Sequence, residues 1–136
     1  MVRPIMRDMF FLRQKSEPAT KADLSVAQDL LDTLKANADR CVGMAANMIG
    51  VRKQIIVVNA GLSDLVMFNP VITKKSGLFH TEEGCLSLNG VRPTDRYESI
   101  EVEYRDLNWT LKKQKFIGWT AQIIQHEVDH CSGILI

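Results

Sequence analysis

The run Gln125-His126-Glu127-Val128-Asp129-His130 sets two imidazoles four positions apart with a carboxylate beside the first, an H-E-x-x-H pattern. On an α-helix, positions i and i+4 share a face, so His126 and His130 can grip one metal ion. Glu127 lies one step round the helix, placed to act as general base on a water beside that ion. The bland alternative is a surface helix with two solvated histidines. The chain has only three histidines and two fall here, which favours the metal. A catalytic zinc- or iron-type site takes three protein ligands and keeps one position open. Metalloproteases with this pattern find the third ligand downstream. Here only Cys-Ser-Gly-Ile-Leu-Ile follows His130, so the third ligand is expected from earlier in the chain. Cys131 is a poor choice, because one helical step turns it about 100° from His130. The candidates are Cys41, His80 and Cys85.

These residues must be positioned by a fold of 136 residues, 46% of them hydrophobic, which suits one domain, 1–136, with a substantial core. A net charge of +1 gives no electrostatic case for nucleic acid or an anionic membrane as partner. No apolar run approaches the roughly 18–20 residues that span a bilayer. Met1 to Phe11 is broken by Arg3, Pro4, Arg7 and Asp8 and does not read as a signal peptide. Three cysteines without framework spacing fit a reducing, cytoplasmic compartment.

Residues 1–19 read as an extended arm over the core. Thr20 to Arg40 is the first clear helix, opened by a Thr20/Asp23 capping box and carrying an apolar stripe of Leu24, Ala27, Leu30, Leu31, Leu34 and Ala38. Cys41 to Gly50, rich in small residues, reads as a tight interior loop. Ile55 to Val58 is a buried strand; Leu65 to Thr73 is another, interrupted at Asn69-Pro70. Gly77 to Thr81 is short and extended. Ser99 to Arg105 alternates, with Ile100, Val102 and Tyr104 on one face. Trp109 to Phe116 returns as its partner, and Lys112, Lys113 and Lys115 suit a solvated edge. The last helix runs from about Trp119 to Cys131. Ala121, Ile124, Val128 and Cys131 form its core stripe, Ile123, His126 and His130 the adjacent one, and Gly133 is its stop.

Glu83-Gly84-Cys85-Leu86-Ser87 ahead of a helical Q-H-E-x-D-H, with a G-x-A-A loop at Gly43 to Ala46 before both, resembles the peptide deformylases. Asp8-Met9-Phe10-Phe11-Leu12-Arg13 is similar to that family's D-x-x-L-R arm, so the resemblance runs over essentially the whole chain. It selects Cys85 as the third ligand beside His126 and His130. It implies an α+β fold of mainly antiparallel strands around a central metal-binding helix. It also implies a metal-dependent hydrolase that removes the formyl group from formyl-methionyl peptides of nascent proteins. The implied cofactor is one divalent ion, Fe(II) first, with Zn(II) or Ni(II) as alternatives. Glu127 would move the proton and the backbone N–H of Leu86 would donate to the developing oxyanion. Glu83 and Asp129 would orient the ligands, or else form surface ion pairs. A monomer is expected rather than an oligomer.

The sequence departs from the family pattern G-x-G-x-A-A-x-Q at two positions: Cys41 replaces the first glycine and Met48 the glutamine. That glutamine donates to the oxyanion, and a thioether has no donor. Loss of one such donor costs about 2.7–4 kcal/mol, roughly 10²–10³ in rate, so reduced activity is expected. Asn47 would supply an amide if the loop shifted register. By position, Val42, Gly43, Met48, Trp119, Gln122 and Ile123 line the methionine pocket, which bulky Trp119 and polar Gln122 would reshape. The chain ends soon after Gly133, so ribosome docking by a C-terminal helix is not expected. Two competing readings are a non-catalytic paralogue that binds peptide N-termini and an amidase for another small N-acyl group.

Overall fold

A computed structural model describes residues 1–135. Five strands form one antiparallel sheet in sequence order: β1 (Gly43–Ala45), β2 (Ile55–Asn59), β3 (Asp64–Gly84), β4 (Val91–Arg105) and β5 (Leu111–Ile117). The helices are α1 (Met9–Leu12), α2 (Leu24–Ala36) and α3 (Gly118–Cys131). Mainly antiparallel strands with the His-bearing helix packed on them make an α+β fold of the kind expected.

β2 explains the layering. Its side chains alternate in direction but all four apolar residues are fully buried, because both faces are covered. Ile55 and Val57 pack with Leu30, Leu34 and Phe68 in a cluster under α2. Ile56 and Val58 pack with Met67, Ile100, Val102, Ile123 and Ile124 in a cluster under α3. The helix with the two histidines is thus clamped on one face of the sheet.

Several local expectations are corrected. The arm contains a one-turn helix, α1, whose N-cap Asp8 accepts from Phe10 N at 2.9 Å. The Thr20/Asp23 capping box forms, with Thr20 N donating to Asp23 Oδ2 at 2.8 Å, but its first turn is 3₁₀ and the helix ends at Ala36. Ala38 therefore lies outside the helix and exposed, and Leu24 is 42% exposed. Cys41 to Gly50 is a short strand and a 3₁₀ turn over Ala46–Ile49, ended by Gly50 in the left-handed region (φ 84°). The two stretches 65–73 and 77–81 are one long strand, β3, whose pairing with β4 shifts register around Asn69-Pro70. Asn69 adopts φ 53° there and its side chain exchanges hydrogen bonds with Ala19 N (2.7 Å) and Ala19 O (3.0 Å). β5 is the sheet edge, with Lys112, Lys113 and Lys115 exposed as the solvated-edge reading requires. α3 ends at Cys131, and Gly133 (φ 75°) turns the chain just beyond it, where an added Cβ would lie 2.3 Å from Arg13 O of the arm. No helix among the described residues is long and apolar enough to cross a membrane.

Candidate metal centre and active site

α3 starts at Gly118 (φ 61°) and turns His126 and His130 toward the loop that follows β3. Four residues of helix stack the two rings with centroids 5.2 Å apart. Cys85 opens the β3–β4 loop, and its Sγ lies 3.2 Å from His130 Nε2. One donor atom from each of Cys85, His126 and His130 falls within 4.8 Å of the others. The other two candidates are elsewhere in role. His80 sits on the outer hairpin, its side chain 82% exposed and paired with Asp95. Cys41 reaches the cavity rim but donates its thiol proton to Gly43 O at 2.9 Å, and burial pushes that thiol up to about 12.

The donor set fits a divalent ion. His126 Nδ1 is held by Glu83 Oε1 at 2.8 Å, which leaves its Nε2 for a metal. His130 is pushed down to about 3 by burial and by the neighbouring His126, so it is a neutral imidazole at any ordinary pH. Its Nδ1 has no partner among the described residues. His126 is held up at about 10 in the metal-free chain. Burial lowers it, but the Glu127 charge and the hydrogen bonds that His126 donates to Cys85 and Glu83 outweigh that. A half-buried thiol and two buried imidazoles that converge form a soft, borderline donor set of the type that zinc and ferrous iron prefer.

Glu127 is 3% exposed and its Oε1 has no hydrogen-bond partner among the described residues. Burial pushes its carboxyl up to about 7. Gly43 makes room for it: an added Cβ would lie 3.0 Å from Glu127 Oε2 and 2.6 Å from Ile123 Cγ2. Glu127 therefore faces the same cavity, of about 200 Å³, that is lined by Val42, Gly43, Met48, Cys85, Leu86, Trp119, Gln122, Ile123 and His126. All six residues read as pocket-lining from the sequence reach it. Trp119 is 61% exposed and stands at the rim rather than filling the interior. Gln122 turns its amide away to Glu83 Oε2 at 2.8 Å.

Behind the histidines lies a network the sequence reading covered only in part. Arg96 grips Glu83 with two nitrogens, Nη2 to Oε1 at 2.8 Å and Nε to Oε2 at 3.0 Å, and Asp129 Oδ2 with Nη1 at 2.8 Å. Burial alone would raise Glu83. The hydrogen bonds from His126, Arg96 and Gln122 overcome it and hold the carboxyl down to about 2. Glu83 thus orients His126 directly, and Asp129 braces Arg96. Neither is a simple surface ion pair, since Glu83 and Arg96 are both buried. Arg96 escaped the sequence reading. It lies an even number of positions before Ile100, Val102 and Tyr104 on β4, so a charge in register with the core stripe was the available signal.

Asn47 corrects the register-shift idea. Its amide donates to His130 O at 2.9 Å and Leu12 O at 3.5 Å, tying α3 to the arm, and does not face the cavity. Met48 does face it, buried and without a donor.

Three side chains able to hold a metal ion thus converge beside a buried carboxylate and an open cavity, the arrangement that metal-assisted hydrolysis requires. The family profile described as polypeptide deformylase matches residues 3–136. A peptide deformylase of Clostridium beijerinckii is 59% identical over all of both chains. One from Dictyoglomus thermophilum is 39% identical over 92% of this chain and 83% of that protein. Among solved structures, an actinonin-bound class I type b peptide deformylase from Acinetobacter baumannii superposes with a TM-score of 0.89 at 31% identity, covering 99% of this chain and 95% of that one. A peptide deformylase from Thermus thermophilus superposes with a TM-score of 0.87 at 35% identity, over 98% of this chain and 83% of that one. The chain belongs to the polypeptide deformylase family. It is a metal-dependent hydrolase that removes N-formyl groups from nascent peptides.

Proposed function

We propose that this chain deformylates formyl-methionyl peptides with Cys85, His126 and His130 holding one divalent ion and Glu127 moving the proton. The observation that carries these assignments is the unpartnered, buried Glu127 Oε1 beside the convergence of one thiol and two imidazoles. When bound, the ion supplies Lewis-acid polarisation and acidifies a water. Glu127 takes the proton of the attacking water and hands it to the departing amine; a carboxyl poised near neutrality serves both transfers. The Leu86 N–H, which no described residue accepts from, donates to the oxygen that gains charge. Glu83 fixes the His126 ring, and Arg96 and Gln122 fix Glu83. Val42, Gly43, Met48, Trp119, Gln122 and Ile123 receive the methionine side chain, with Val42 and Trp119 as its apolar rim.

One thiolate with two imidazoles suits Fe(II), Zn(II) or Ni(II), and we take Fe(II) as the ion in the cell. We read 1–136 as a single domain, because both core clusters share β2. The reading also makes the chain a monomer in the cytoplasm, with formyl-methionyl peptide or nascent chain as its partner and neither nucleic acid nor membrane. All three cysteines are unpaired, which supports a reducing compartment. A pure peptide binder has no use for Glu127, and nothing in the cavity favours a larger acyl group.

The test is formate release from a formyl-methionyl tripeptide by anaerobic Fe(II) protein and by Zn(II) protein. Turnover with near one ion per chain is expected. Glu127→Ala should lower kcat by about 10²–10⁴ with metal retained. Fe(II) protein that yields no formate would sink the reading, and equal cleavage of an acetyl-methionyl peptide would replace it with a broader amidase.

A further inference from the structure

The arm meets the cavity at two consecutive residues that the reaction scheme leaves without a role. Met6 N–H donates to Met48 O at 2.7 Å, and Arg7 Nη1 donates to Leu86 O at 3.0 Å. Met48 and Leu86 both line the cavity but belong to separate segments, the turn after β1 and the loop after β3. Among the described residues no hydrogen bond joins those segments directly.

The loop from Leu86 to Gly90 buries Ser87 and Leu88, but few hydrogen bonds hold its backbone. Its backbone bonds are Leu88 N to Cys85 O at 3.0 Å and Arg92 Nη1 to Asn89 O at 3.3 Å, both within the β3–β4 hairpin. Among the described residues Arg7 is the only group from outside that hairpin that bonds this backbone. Arg7 is itself fixed on both sides. The Met6 bond precedes it, and the Asp8-capped turn follows it, anchored by the fully buried Leu12.

We propose that Arg7 is a positioning residue for deformylation: by holding the Leu86 carbonyl it restrains rotation of the backbone at Leu86, and so steadies the preceding peptide unit, whose N–H (that of Leu86) faces the developing oxyanion. The inference rests on the role proposed above for Leu86. Met48 gives it weight. With no side-chain donor at that position, Leu86 N–H is the one protein donor this reading leaves for the oxyanion, and a donor that swings out of line contributes little. The arm thereby ties a guanidinium 79 positions earlier in the chain to the loop after β3.

The experiment compares metal-loaded Arg7→Ala, Arg7→Lys and Arg3→Ala with wild type. Arg3 is the control: it lies on the same arm but binds Asp29 on α2. Two measurements are made, steady-state kinetics on a formyl-methionyl tripeptide and amide hydrogen exchange of residues 86–90. For Arg7→Ala, kcat should fall about tenfold with KM within about twofold, the signature of an interaction made in the transition state. Exchange in the loop should speed up about tenfold while α3 is unchanged. Arg7→Lys, still a cationic donor, should recover most of both, and Arg3→Ala should move neither. Unchanged loop exchange, or kcat within twofold of wild type in Arg7→Ala, would overturn the proposal, as would acceleration of exchange throughout α3. Wild-type protein that releases no formate would instead overturn the deformylase roles, and the exchange data alone would then decide whether Arg7 holds the loop.

Discussion

At the scale of single residues, Met48 and Gly43 pull in opposite directions. Met48 lines the cavity without a donor, so the oxyanion loses one hydrogen bond relative to a glutamine there. Met48→Gln should raise kcat by at least about tenfold, part of the roughly 10²–10³ that such a donor supplies. It should cost some stability, because an amide replaces a thioether in a site only 1% exposed. Formate release and thermal denaturation on the same preparations check both halves, and an unchanged rate would refute the first. Gly43 is required by closeness rather than by backbone conformation. Gly43→Ala places a methyl 2.6 Å from Ile123 Cγ2 and 3.0 Å from Glu127 Oε2. Ile123 and Glu127 are both buried, so relieving the clash has to shift α3 locally and move the carboxylate with it. A base displaced by about 1 Å can lose 10²-fold in rate, and overpacking costs about 1–3 kcal/mol. Both should appear as a fall in kcat and in Tm with the metal content unchanged.

At the scale of elements, Glu83 joins three of them: it sits on β3, is gripped by Arg96 of β4 and holds His126 of α3. Its folded-state pKa, about 2 against an ordinary 4.5, is depressed. The stability it contributes is therefore fully present above pH 4.5 and is lost as pH falls from 4.5 toward 2. At about 1.4 kcal/mol for each unit of difference, the loss is of the order of 3 kcal/mol. Urea unfolding between pH 6 and pH 2 should show this loss in wild type and a markedly flatter profile in Glu83→Gln; equal slopes would refute it. The same network shows how far elements were legible from sequence. The His126–His130 spacing, the Thr20/Asp23 cap and the Ile100-Val102-Tyr104 alternation are local patterns that packing then obeys. The outer halves of β3 and β4 carry no such pattern, because cross-strand pairing holds them and much of their length faces solvent on both sides. Arg96 is invisible to a reading that assigns charges to surfaces, since its burial is made tolerable only by Glu83 and Asp129, 13 positions before it and 33 after it. Asn47 misleads in the reverse sense: position suggests an oxyanion donor, but the amide serves the backbone of His130.

At the scale of the whole molecule, the proposed metal ligands come from parts of the chain that pack separately. Cys85 sits in the β3–β4 loop and the histidines on α3, which lies on the sheet face opposite α2. An ion bound by all three cross-links the hairpin loop to the helix, a link that the apolar clusters do not make. Metal should therefore stabilise the native state by mass action, by about 4 kcal/mol when free metal stands near a thousandfold above its Kd. For a chain of this length that corresponds to a rise of roughly 10 °C in Tm. Calorimetry of the loaded protein and of protein stripped by chelator should show that difference. Cys85→Ala or His126→Ala should abolish it while leaving the sheet and α2 folded by circular dichroism. Identical melting of loaded and stripped protein would mean that the three side chains meet without binding an ion. The hydrolase would then have to hold its metal with some other set of ligands.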